Sequence, residues 1–329
     1  MDFLAIGDIV IDAFIKLKDA HVHCKLNDED CEICMRWGDK IPYESATVVP
    51  AVGNCANAAV AASRLGLNAG LCTHVGADQY GQDCLAALLK DKVDVTYIEK
   101  QAGKITNYHY VLWYEHNRTI LVKHELYDYA LPPIAQPPRW LYLTSLAAHT
   151  LPYHNEWTQY LKRNPGVKLA FQPGTFQMQM GIEALADIYK RSDIFFCNKE
   201  EAERILGKPA GSDMKDLLSG MQALGPKIVV ITDDVRGAYW REESGAMAHC
   251  PRYPDPRAPY EITGAGDALA SGVTVALALG KDMKEALKWG SANAAAVIQE
   301  IGAQKGLLTR PQLEHMLANP PAAWDITAL

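Results

Sequence analysis

The chain is expected to fold as an α/β protein around a mainly parallel central sheet, on three observations. Short apolar runs of strand length alternate with longer helix-like segments along most of the 329 residues. That order builds parallel strands with covering helices. The opening run, Phe3 to Ile9, is apolar apart from Gly7 and Asp8 and suits a first central strand. Hydrophobic residues make up 49% and charged residues 22%, the balance of a globular protein with a sizeable core.

Taken in order, alanine-rich Ala56 to Leu65 predicts a helix stopped by Gly66, and Gly70 to Val75 a strand. Gly81 to Lys90 is a helix with leucines on one face. Arg139 to Leu143 reads as a strand, Asn155 to Arg163 as a helix and Lys168 to Phe171 as a strand. Strand Ile194 to Cys197 leads into helix Lys199 to Leu206, and Lys227 to Ile231 is a further strand. From Ala265 the chain is mostly helical, through Leu279 and again from Met283 to Glu300. Two stretches depart from the alternation. Lys40 to Val49 reads as extended, and Tyr108 to Val122 as a hairpin turning at Glu115 to Asn117. We read one domain, 1–329, carrying a small β-lid built from about 13–50 and 104–130. The proline-rich run Leu131 to Pro138 is its return linker. No internal repeat is present.

A net charge of −7 with no offsetting Lys/Arg-rich run excludes a nucleic-acid partner. A nucleotide ligand remains open, because backbone amides can hold phosphates. No window approaches a membrane span, and Met1 to Val10 has neither a basic region nor a cleavage site. A cytoplasmic location is therefore expected. No Gly-x-Gly-x-x-Gly follows the first strand, which excludes a nicotinamide dehydrogenase.

The strongest local signal is Thr263-Gly264-Ala265-Gly266-Asp267, followed at once by the helix-like run Ala268 to Leu279. Small residues let the amides of such a turn approach a ligand, and the helix dipole behind them favours an anion. A carboxylate at the same helix start can take a proton while the amides hold phosphoryl charge. The plain alternative is a tight turn with Asp267 as a helix cap.

Further motifs decide between the two. Ile262 to Gly272 resembles the C-terminal signature of the ribokinase (PfkB) family of carbohydrate kinases. Gly53-Asn54-Cys55-Ala56-Asn57-Ala58-Ala59, with Leu65-Gly66 and Val75-Gly76-x-Asp78-x-x-Gly81, resembles its N-terminal signature. Gly7-Asp8 with Asp12 resembles the family's opening segment, and Asn198-x-x-Glu201 its Asn-x-x-Glu motif. The pieces lie in family order from residue 5 to about 306.

The resemblance implies a three-layer α/β/α ribokinase-like fold and a kinase that moves the γ-phosphate of ATP to a hydroxyl. In it Asp267 is the general base, and the Gly264 to Gly266 turn, through the amides of Ala265 and Gly266, is the anion hole. Asp12, Gly53, Asn54 and Asn57 bind the acceptor. Asn198, Glu201, Thr232, Gly237 and Asn293 bind the nucleotide, with Glu201 holding Mg²⁺ through water. A homodimer joined through the lid is implied as well. Four departures break the pattern. Glu261 stands where aspartate is usual, at a position that helps hold an activating monovalent cation such as K⁺. Ile262 replaces threonine, Val52 the first of two glycines, and Asp233-Asp234 follow Thr232 where a glycine is common.

An insert at 21–34 lies outside the family pattern. His23, Cys24, Cys31 and Cys34 have the composition of a Cys₃His structural zinc site. The polar loop Asn27 to Asp30 lies within it, and unrelated thiols and surface histidines are the alternative. Cys55, Cys72, Cys84, Cys197 and Cys250 sit in apolar runs and read as core residues. A sugar is the first choice of acceptor and a nucleoside the second, since Tyr108, Tyr110, Trp113 and Tyr114 offer stacking surfaces. A different class of function is a non-catalytic sugar or nucleotide sensor on the same fold.

Overall fold

A computed structural model of the chain describes residues 1–24, 31–115, 117–255, 257–320 and 324–329. The loop Asn27 to Asp30 lies outside them, as does residue 116 in the hairpin turn. The chain begins β1 (Phe3–Ile6), β2 (Val10–Leu17), β3 (His21–His23), β4 (Glu32–Cys34), β5 (Tyr43–Val52) and α1 (Asn54–Arg64). Next come β6 (Ala69–Gly76), α2 (Gln79–Lys90), β7 (Asp94–Gln101), β8 (Tyr108–Tyr114) and β9 (Asn117–Leu121). The middle holds β10 (Trp140–Leu143), α3 (Leu151–Arg163), β11 (Lys168–Phe171), α4 (Thr175–Met180), α5 (Ala186–Arg191) and β12 (Ile194–Asn198). Then follow α6 (Lys199–Leu206), α7 (Met214–Ala223), β13 (Ile228–Thr232), β14 (Ala238–Arg241) and β15 (Met247–Cys250). The last elements are α8 (Ala265–Ala278), α9 (Met283–Val297), α10 (Arg310–Ala318) and β16 (Thr327–Ala328).

One ten-stranded sheet runs in the order β16-β15-β14-β13-β12-β11-β10-β1-β6-β7. From β13 to β7 every neighbour is parallel, and β14 to β16 add an antiparallel edge. Successive strand residues face opposite ways, so the sheet feeds two cores. Phe3 and Ala5 pack with α1, α8 and α9, while Leu4 and Ile6 pack with α3, α5 and α7. This is the expected α/β fold with helices on both faces.

The first strand is shorter than expected. It ends at Ile6 because Asp8 is pinned: its N–H donates to the Ser145 carbonyl at 2.8 Å, and its carboxyl accepts from Tyr129 Oη and Ala147 N–H. Val10 then opens β2 of a second sheet, four-stranded in the order β5-β2-β8-β9. This small sheet therefore takes in residues 10–12, ahead of the expected boundary near 13, and Asp12 belongs to it. Edge strand β7 and the short β14–β15 hairpin have too little apolar run to stand out in the sequence.

Candidate active site

Parallel strands end on a common edge, and the chain leaving those ends builds the site. Gln172 follows β11, Asn198 closes β12 and Thr232 closes β13. All three line one cavity of about 550 Å³. The start of α8 stands at the same cavity, so Gly264, Ala265, Gly266 and Asp267 line it, as does Asn54 at the start of α1. Gly264 is the N-cap of α8 in a left-handed conformation (φ 80°); no side chain caps the amides that follow, and the Ala265 N–H makes only a long bond of 3.4 Å to the Ile262 carbonyl. The amides are thus available to an anion.

Asp267 is held by two amide side chains. Asn57 Nδ2 donates to its Oδ2 at 2.8 Å and Gln172 Nε2 to its Oδ1 at 3.0 Å. Each amide is itself oriented. Gln304 Nε2 donates to Asn57 Oδ1 at 3.0 Å, and Tyr142 Oη donates to Gln172 Oε1. Burial raises the Asp267 carboxyl above its ordinary value, and the two amide donors partly offset this. A carboxylate raised yet fixed in direction is suited to take a proton. The sequence put Asn57 against substrate; the structure has it donating to Asp267. Gln172, Gln304 and Tyr142 carry no motif and escaped the sequence reading.

Above this turn lies the inner face of the small sheet. Asp12 pairs with His109 in the β2–β8 register, and His109 Nδ1 is 3.6 Å from Asp12 Oδ1. Asp12 Oδ1, His109 Nε2 and His124 Nδ1 are buried without a hydrogen-bond partner. These three neighbouring atoms leave hydrogen-bonding capacity that a hydroxylic ligand or water could take up, although none of the three residues lines the cavity itself. Burial pushes Asp12 up to about 6, with Arg118 opposing and Glu261 adding to the rise. Burial, with His124 nearby, lowers His109 to about 4, so its ring is neutral at pH 7. Neither histidine was singled out from sequence. Gly53 caps α1, and its carbonyl accepts from the Asn57 N–H at 2.9 Å. Val52 is 2% exposed, so its side chain sits in the core. Tyr108 packs against both Tyr80 and Tyr110 on the outer face of the sheet, opposite to His109 and Val111. They are not placed to stack on an acceptor beneath it.

Elsewhere in the cavity wall, Asn198 and Glu201 cap each other: Glu201 N–H donates to Asn198 Oδ1 at 2.8 Å, and Asn198 N–H to Glu201 Oε2 at 2.9 Å. Burial first, and then the charges of Asp267 and Glu200, raise Glu201. Asp233 also lines the cavity, but Arg236 occupies both of its oxygens at 2.6 and 2.8 Å and holds its carboxyl below the usual range. Gly237 lines the cavity in the turn that follows.

Asn293 requires correction. It is fully buried and ties three segments together, accepting from Leu308 N–H at 3.0 Å and donating to the Ala268 carbonyl. Ser291, Ala294, Ala295 and Ile298 present the cavity face of this segment instead. Helical periodicity puts 293 on the opposite side.

The Cys₃His set is not assembled either. Cys24 is disulfide-bonded to Cys31, while Cys34 Sγ donates to the Glu32 carbonyl. His23 pairs with Glu32 across the β3–β4 ladder. Among the described residues no group of three or more His, Cys, Asp or Glu is gathered for a metal. The other five cysteines are buried, as expected.

A model of the pfkB family of carbohydrate kinases matches residues 20–310. The 5-dehydro-2-deoxygluconokinase of Bacillus subtilis is 26% identical over 283 residues, 80% of this chain and 86% of its own. A nucleoside kinase of Methanothermobacter thermautotrophicus is 26% identical over 259 residues, 78% of this chain and 80% of its own. Among solved structures, Arabidopsis thaliana ribokinase complexed with ribose and ATP superposes with a TM-score of 0.80 at 18% identity, covering 97% of this chain and 99% of its own. At that identity the match speaks to the fold.

Proposed function

Because the chain belongs to the PfkB family of carbohydrate kinases, and is thereby a phosphotransferase with an alcohol acceptor, we propose that it moves the γ-phosphate of ATP to a sugar hydroxyl activated by Asp267. The observation that carries this reading is the Asp267 carboxylate, fixed by Asn57 and Gln172 beside the uncapped amides of α8. Base and anion hole stand on one helix start. Asp267 Oδ takes the acceptor proton as the oxygen attacks, and the amides of Ala265 and Gly266 receive the negative charge on the transferring group. Asp12, His109 and His124 orient the acceptor through the hydrogen-bonding atoms the protein leaves unused.

Glu201 and Asn198 suit a magnesium ion held through water, because one Glu201 oxygen is committed to the cap and few direct ligands are needed. The ion would neutralise phosphate charge. The small sheet would close over the acceptor and keep water from the phosphoryl group. Its outer rung Val48, Ala13, Tyr110 and Leu121, largely apolar, is the surface expected to join two copies; a monomer in sedimentation velocity would reject that pairing.

A second reading, a nucleoside acceptor, is favoured by the nucleoside kinase among the relatives. The outward placement of Tyr108 and Tyr110 weighs against it, whereas Trp113 shares the face of His109 and Val111 and lines a hollow with Val111. ATP turnover with Mg²⁺ against sugars, sugar acids and nucleosides tests the proposal. Stimulation of about tenfold or more by one class identifies the acceptor. Ligand binding without turnover, with every donor tried, would leave a sensor on the kinase fold.

A further inference from the structure

The Glu261 carboxylate is already surrounded by donors. Arg118 Nη1 stands 2.6 Å from Oε1, which also accepts from Thr263 N–H at 2.8 Å and from Thr263 Oγ1. Gly302 N–H donates to Oε2 at 3.3 Å. Glu261 is 6% exposed at its side chain and Arg118 30%. A buried carboxylate needs such compensation, and an added cation on Oε1 would have to displace the guanidinium. The residues present therefore do not fit a monovalent cation at this position.

Arg118 lies on β9, far along the chain from the turn it serves. In the β8–β9 register it pairs with Trp113, whose ring meets Tyr260 edge-on at 5.5 Å. One rung of the small sheet thus grips residues 260 and 261 together. Glu261 in turn holds Thr263, the residue before the N-cap of α8.

We propose that Arg118 is a positioning residue that acts as a built-in counter-cation, fixing Glu261 and through it the turn that receives the phosphoryl group. The inference rests on the reading of that turn as the phosphoryl site. Two consequences follow: turnover needs no added monovalent cation, and seating of the small sheet and ordering of the anion hole are one event. Beside the pair lies a hollow of about 250 Å³ lined by Phe14, Val111, Trp113, Tyr260 and Ile262. It gives a small cation access when the arginine is shortened.

The experiment compares wild type, Arg118→Ala, Arg118→Lys and the double variant Arg118→Ala/Glu261→Gln in choline, potassium and guanidinium chlorides at equal ionic strength. Kinetics are run with the best acceptor, and thermal melting is run without turnover. Wild type should agree within about twofold in choline and potassium, whereas Arg118→Ala should lose about 30-fold in kcat with KM changed less than about threefold. Potassium or guanidinium should restore about fivefold or more to Arg118→Ala and raise its melting temperature relative to choline, and Arg118→Lys should recover part of kcat. The double variant, with no carboxylate to answer, should respond to neither salt. Activation of wild type by potassium of about fivefold or more would overturn the proposal. An Arg118→Ala protein with unchanged kcat, or one whose melting no cation alters, would overturn it equally. Should wild type phosphorylate nothing, the kinase reading fails, and melting alone still decides the role of Arg118.

Discussion

Alanine at Gly264 and alanine at Gly266 are the same chemical change two residues apart, yet the structure assigns them opposite signatures. At Gly264, φ is +80° and an added Cβ would lie 2.3 Å from Ala303 Cβ and 2.7 Å from its Cα. A left-handed non-glycine residue costs about 1 kcal/mol, and overlap with a neighbour's backbone adds about 1–3 kcal/mol. The sum, about 2–4 kcal/mol, corresponds to a melting temperature lower by roughly 5 °C or more. The turn relaxes by moving, so its amides leave the phosphoryl path, and loss of one such donor costs about 10²–10³ in kcat. At Gly266 nothing stands within 4 Å of the added Cβ. Stability there should hold or rise by about 0.5 kcal/mol, as for glycine to alanine in a helix. The methyl enters the cavity beside the transferring group, and kcat should still fall by about tenfold or more. Melting curves with steady-state kinetics on both variants are the assay. If Gly264→Ala melts and turns over like wild type, the turn does not need this geometry. If Gly266→Ala is fully active, its amide does not face the phosphoryl group.

Asp12→Asn should separate binding from stability. Asp12 is raised from 3.8 to about 6, so between those values the folded protein holds a proton the unfolded chain has released; its contribution is full below about pH 4 and is lost as pH rises through 6. The variant should therefore match wild type in stability near pH 4 and exceed it at pH 7 by up to about 3 kcal/mol, while kcat/KM falls about 100-fold or more. Equal stability offsets at both pH values in chemical denaturation would contradict the buried-charge account. The pH profile supplies a further test. As the proposed base, Asp267 must act ionised, and burial raises its pKa, so kcat/KM should fall as pH drops through a value above 3.8. His109, lowered to about 4, should add no inflection between about pH 5 and 8.

How far the sequence carries depends on whether a residue's role is local. The α8 turn and its carboxylate are local: glycines, Asp267 and a helix start lie within five residues. Asn198 and Glu201 are equally local, since they cap one another. The strand–helix alternation predicted the sheet because buried parallel strands must be apolar, and it missed β14 and β15, which are short edge strands. Gln172, Gln304, His109 and His124 were silent because each is a single polar residue with no pattern around it, and only the fold brings them to Asp267 and Asp12. Asn293 shows an avoidable error. Polarity inside an alanine-rich helix pointed to function, whereas the helical period sets it opposite the cavity face and makes it a tie between α8, α9 and the loop at Leu308. Cys24 and Cys31 read as metal ligands by composition, and their bond to each other leaves that composition without a site.

Asp267→Asn is the most direct measurement of the central claim. One of the two amides that now donate to Asp267 would face another amide, a cost of about 1–3 kcal/mol offset by removal of a buried charge, so folding should be retained. With the acceptor that best stimulates wild type, acceptor-dependent ATP turnover should fall about 10³-fold or more, while calorimetric affinities for nucleotide and acceptor stay within a few-fold. Turnover within about tenfold of wild type, with binding intact, would contradict Asp267 as the base.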